Sequence, residues 1–114
     1  MKIRDIVNLL DAKVLCGEEC LDKEVNSAFG CDMMSDVLAF VKEQAVLITG
    51  LCIPQVVRTA EMMDMRCIVF VRGKIPPAEV VDLAKDSGIV ILATNERMYA
   101  SCGKLYANGL SGGV

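Results

Sequence analysis

The chain is predicted to be an α/β protein, a three-layer α/β/α fold around a small, mostly parallel sheet of four to five strands. Three observations predict it. Ala45-Val46-Leu47-Ile48-Thr49, Cys67-Ile68-Val69-Phe70-Val71 and Ile89-Val90-Ile91-Leu92-Ala93 fall on one another when shifted by about 22 residues. Each run is continuously apolar, as a strand buried on both faces must be. Each is followed by a stretch with helical spacing, so the repeated unit is β-loop-α. Such units build parallel sheets, because the crossover helix returns the chain to the same edge.

The elements follow in order. Ile3, Ile6, Val7, Leu9 and Leu10 form one apolar face of a short helix over residues 3–12. Residues 13–16 make a brief strand that stops at Gly17, and the polar stretch 17–24 is turn-like. A second strand covers 25–30, and a helix covers 33–41 with Asp32 as its N-cap. After the first repeated strand, Pro54 opens a helix over 54–65, where the first turn has no use for the missing N–H. In the second unit, Arg72-Gly73-Lys74-Ile75 is a turn, and Pro76-Pro77 leads a helix through Lys85 that ends at Gly88 in the left-handed cap position. In the third, Thr94-Asn95-Glu96 starts a final helix to about residue 107, and 109–114 reads as a frayed tail. No internal linker divides the chain, so residues 1–114 are expected to be one domain.

Composition narrows the function classes. Apolar residues reach 54% before glycine is counted, against about 45–50% with glycine included in typical domains. That surplus suits a dense α/β core plus a homodimer or partner interface. Met33-Met34 and Met62-Met63-x-Met65 serve either as core filling or as an adaptable contact surface. The net charge of −3 comes with scattered basic residues and only 4% aromatics, which argues against nucleic-acid binding. No run is long enough to span a membrane, and Asp5 interrupts the start where an export signal needs an apolar stretch. The expectation is a cytoplasmic protein without a membrane partner.

Cysteine arithmetic excludes more. Six cysteines are present with no histidine and no Cys-x-x-Cys, so zinc and thioredoxin-like patterns fail. Cys16-x3-Cys20 is too sparse for a ferredoxin-type cluster. The cysteines are read as reduced and mostly buried, with no metal and no cofactor implied. Cys31 and Cys52 both fall near strand ends and are the one candidate redox pair. Ser35 and Asp36 are adjacent on a helix and point apart, with no histidine to link them, so no catalytic residue is assigned.

Gly30-Cys31-Asp32-Met33-Met34-Ser35-Asp36-Val37-Leu38-Ala39 is the most distinctive string. With Leu47-Ile48-Thr49-Gly50 and the run from Ile68 to Thr94, it resembles the DRTGG domain family over about residues 3–105. Relatives of this kind occur as the N-terminal domain of HPr kinase/phosphorylase, within CBS-domain pyrophosphatases and phosphate acetyltransferases, and alone. The literal Asp-Arg-Thr-Gly-Gly string is absent, and only Thr49-Gly50 and Arg72-Gly73 echo it. No G-x-x-x-x-G-K-[ST] loop occurs, so the kinase half of HPr kinase has no counterpart. The resemblance implies a non-catalytic accessory module, commonly dimeric, that regulates or assembles with a partner protein.

In parallel sheets, loops and helix N-termini converge beyond the strand carboxyl ends. Here that edge gathers Asp32 and Ser35, Thr49 and Gly50, Arg72, Gly73 and Lys74, and Thr94 and Asn95. Hydroxyls, small residues and two cations together suit a nucleotide or a phosphorylated small molecule. The competing reading is that these residues only cap helices and turns, with Arg72 and Lys74 in solvent.

Overall fold

A computed structural model describes residues 1–42 and 44–112. In chain order the elements are α1 (Ile3–Leu10), β1 (Lys13–Cys16), a 3-10 turn (Glu18–Cys20), β2 (Ser27–Gly30), α2 (Met34–Phe40) and β3 (Ala45–Thr49). Then come α3 (Pro54–Met62), β4 (Cys67–Phe70), α4 (Ala78–Ser87), β5 (Val90–Ala93) and α5 (Met98–Ala107). The sheet runs β1-β5-β4-β3-β2. Neighbours from β2 to β5 are parallel, while β1 pairs antiparallel with β5.

The strand order β2-β3-β4-β5 advances one way across the sheet, so crossovers of one hand place α2, α3 and α4 on a single face. Alternation along each strand then splits the core in two. Leu47, Ile68, Phe70 and Ile91 pack against Val37, Val56, Val57, Ala60, Val80 and Ala84 of those helices. Val46, Ile48, Cys67, Val69, Val90 and Leu92 point the other way, onto Ile3, Ile6 and Leu10 of α1 and Leu105 of α5. This is why the three repeated strands are apolar at every position: each side chain has a helix layer to meet. Gly30 lets α5 close on β2, since a Cβ there would sit 2.7 Å from Cys102 Sγ. The three-layer α/β/α class and its mostly parallel sheet are as the repeat predicts.

Several boundaries differ, each for a physical reason. The expected strand 25–30 begins at Ser27, because Val25 is drawn into the α1 core and its N–H bonds Met1 O at 2.8 Å. Asp32 is not the cap of α2; Met33 holds that position without a side-chain bond, and the Asp32 carboxylate is engaged elsewhere. The last helix starts at Met98 with Arg97 as its N-cap, not at Thr94, whose hydroxyl donates instead to Leu10 O at 2.7 Å. Pro54 at the start of α3 and Gly88 (φ 70) at the end of α4 sit as their chemistry requires. Of the expected frayed tail, Leu110 is buried in the α1–α5 core and Ser111 O accepts the Ala28 N–H at 2.9 Å. Gly113 and Val114 lie outside the described residues.

Candidate functional site at the strand carboxyl edge

Asp32 follows β2, Thr49 and Gly50 end β3, and Arg72, Gly73 and Lys74 follow β4, so the parallel register brings the three loops to one edge. Asp32 Oδ1 accepts both the Thr49 hydroxyl, at 2.9 Å, and the Gly50 N–H, at 2.8 Å. Its Oδ2 stands 4.0 Å from Arg72 Nη2, with the two side chains 50% and 46% exposed. The Gly50 amide, then the Thr49 hydroxyl and the charges of Arg72 and Lys74, hold the Asp32 carboxyl below the usual carboxylate range against the opposing effect of desolvation.

Arg72 reaches this position through its backbone. Lys74 N–H bonds Val71 O at 3.3 Å and closes a turn whose central residues, Arg72 (φ 65) and Gly73 (φ 70), are both left-handed. That is the signature of a type I′ turn, which glycine adopts freely and which costs a residue with a Cβ about 1–2 kcal/mol. The neighbouring chain holds the turn in place: Val71 N–H bonds Thr49 O at 3.0 Å, Arg72 N–H bonds Glu96 O at 2.8 Å and Gly73 N–H bonds Thr94 O at 2.9 Å. The Arg72 side chain then lies against Gly50, where a Cβ would fall on the guanidinium. Position 50 is therefore a close-approach glycine rather than a conformational one.

The remaining expected residues divide. Asn95 lies beside Gly73, its Oδ1 3.2 Å from where a Cβ at Gly73 would stand. Thr94 is buried and serves the scaffold, donating to Leu10 O and accepting the Glu96 N–H at 3.2 Å. Ser35 is exposed in the first turn of α2. Cys31 and Cys52 are bonded within their own loops: Cys31 Sγ accepts the Met33 N–H at 3.2 Å, and Cys52 Sγ lies 3.8 Å from Gly50 O. All six cysteines are free thiols, but only Cys16 and Cys67 are fully buried, so the expectation of mostly buried cysteines is corrected to two of six. Burial pushes the Cys52 thiol up, and Lys74 and Arg72 partly offset it, which places both cations near that loop.

Residue types alone did not reveal the apolar rim. Met33, Ile53 and Ile75, each next in sequence to Asp32, Cys52 or Lys74, are exposed. A separate cavity of about 150 Å³ is lined by Asp11, Lys13, Gly73, Ile75, Ala93, Thr94 and Asn95, with Asp32, Thr49, Gly50, Arg72 and Lys74 outside its lining. A larger one of about 420 Å³ lies between α1 and the end of α5, lined by Met1, Asp5, Asn8, Leu9, Asn108 and Gly109. Its lining carries one charged side chain, Asp5.

This architecture defines a class: a sequentially wound three-layer α/β/α module with an open polar edge. The chain belongs to the DRTGG domain family, whose pattern matches residues 5–106. Its fold is similar to that of the CBS and DRTGG domains of the regulatory region of Clostridium perfringens pyrophosphatase, solved with the activator diadenosine tetraphosphate. The likeness has a TM-score of 0.72 at 17% identity, over 91% of this chain and 45% of that one. The chain thus spans less than half the length of that regulatory region. No curated protein sequence matches it. Among the described residues no helix is long and apolar enough to cross a membrane.

Proposed function

We propose that the chain is a single-domain, cytoplasmic, non-catalytic regulatory or assembly module that homodimerises and modulates a partner protein. The observation that carries this reading is the stripe of Tyr99 and Tyr106 on α5, 91% and 73% exposed above a core that is already filled. They lie two helical turns apart on one face, with Gly103 between them. A Cβ at Gly103 would meet nothing within 4 Å, so the chain's own packing does not require a glycine there. Mid-helix glycine costs about 1 kcal/mol relative to alanine. A second copy of α5 crossing at Gly103 makes use of that site, because a two-fold axis there sets glycine against glycine, with the tyrosines of each helix flanking the crossing. The exposed rim of Met33, Ile53 and Ile75 then remains free for a partner protein.

Light scattering across micromolar concentrations is expected to give a dimer, and the double variant Tyr99→Glu/Tyr106→Glu a folded monomer. A strictly monomeric wild type counts against the reading.

A second reading, a sensor of a nucleotide or phosphorylated metabolite, is favoured by the left-handed Arg72. Backbone strain held by its surroundings at a ligand-facing edge supports a functional use of that side chain. The similarity to a regulatory region solved with a nucleotide activator points to the same ligand class. Arg72→Ala and Lys74→Ala are expected to abolish a nucleotide-induced rise in Tm while keeping the fold. Unchanged affinity in both variants removes this site.

A further inference from the structure

We propose that Asp32 is a built-in competitor of the anion at this edge: it occupies the field of Arg72 and Lys74, and a phosphoryl dianion binds against it. This rests on the sensor reading above. The geometry gives Asp32 two separate tasks. Oδ1 is anchored by the Thr49 hydroxyl and the Gly50 N–H, so the carboxylate cannot swing away. Oδ2 is turned toward Arg72 but stops 4.0 Å from Nη2, beyond hydrogen-bond distance. The charge of Arg72 is partly neutralised while its N–H donors remain unspent on Asp32.

Two cations and one carboxylate leave the edge with one net positive charge. A monoanion gains little there. A phosphoryl group, with two charges and three acceptor oxygens, engages both the planar guanidinium fork and the Lys74 ammonium. It does so in the presence of Asp32, which keeps affinity low. Asparagine at position 32 keeps an oxygen for Thr49 and Gly50 and replaces the Oδ2 facing Arg72 with a neutral amide nitrogen, which removes the charge.

The test is titration of wild type, Asp32→Asn and Arg72→Gln with inorganic pyrophosphate at constant ionic strength. The amide signals of Gly50, Gly73 and Lys74 are followed by NMR. Asp32→Asn is expected to bind about threefold to tenfold more tightly than wild type, from removal of one partly exposed opposing charge, and Arg72→Gln to lose binding. If wild type binds and Asp32→Asn binds equally or more weakly, Asp32 is no competitor, while the anion site stands. If neither wild type nor Asp32→Asn shifts these amides, the anion site itself falls, and this proposal with it.

Discussion

At position 50 the missing Cβ matters more than backbone freedom. Gly50→Ala places a methyl where the Arg72 guanidinium lies, and the far end of a flexible side chain yields more readily than backbone. Urea unfolding is expected to show a loss below about 1 kcal/mol, as for most surface changes, with pyrophosphate binding weakened as in Arg72→Gln. Asp32 gives a pH signature. Its carboxyl titrates lower in the folded chain than in the unfolded one, so its contribution is fully present above the unfolded carboxylate range. That contribution is lost as pH falls through the folded value, and Asp32→Asn should flatten the acid limb of stability measured below about pH 4. Cys67 is fully buried between the sheet and the α1–α5 layer, and burial pushes its thiol far up, so alkylation should reach it only on unfolding. At this scale Asp32, Thr49, Gly50 and Arg72 were legible from strand-end logic. The partner of Thr94 was not, because it depends on where α1 ends.

The β4–α4 turn shows what an element can hold that its residue types do not announce. Arg72-Gly73 occupies two left-handed positions for which Asn-Gly is the favoured pair. Arg72→Asn is therefore expected to stabilise the fold by about 0.5–1 kcal/mol in urea titrations while removing the cation and its binding. A variant no more stable than wild type would mean that the turn is unstrained and that Arg72 sits there for packing. The strands themselves were readable from continuous apolar runs. The N-caps were not: Asp32 and Thr94 are both of capping type, yet their oxygens bond Gly50 and Glu96 N–H groups outside α2 and α5. A sequence shows that a carboxylate or hydroxyl wants a backbone N–H, but not which one comes within reach.

Across the whole molecule, the apolar surplus has two destinations. Most of it fills the layers on either face of the sheet, with Met34 and Met65 among the buried residues. The remainder stays outside, on Met33, Leu38, Phe40, Ile53, Met62, Ile75, Tyr99 and Tyr106 among the described residues. Phe70 is the largest fully buried side chain and packs where β4 meets α3 and α4. Its truncation to alanine is expected to cost about 3–5 kcal/mol, a large share of the ~5–15 kcal/mol that holds a domain together. Chemical denaturation of a folded Phe70→Leu control would separate that cavity effect from a failure to fold. The methionine pairs could not be sorted in advance, since each straddles a helix end and only packing decides which member is inside.

Period and polarity along the chain were enough to determine the β-loop-α repeat, the parallel sheet and burial on both faces. Those properties are local or repeat at fixed spacing, so each segment carries its own signal. Only the tertiary structure decided that β1 would close the sheet antiparallel beside β5 and that α1 would take the hydroxyl of Thr94. It also decided that Arg72 would lie across Gly50 toward Asp32. Each of these joins residues far apart in the sequence, and a hydrogen bond or close approach of that kind exists only once the strands have set the register.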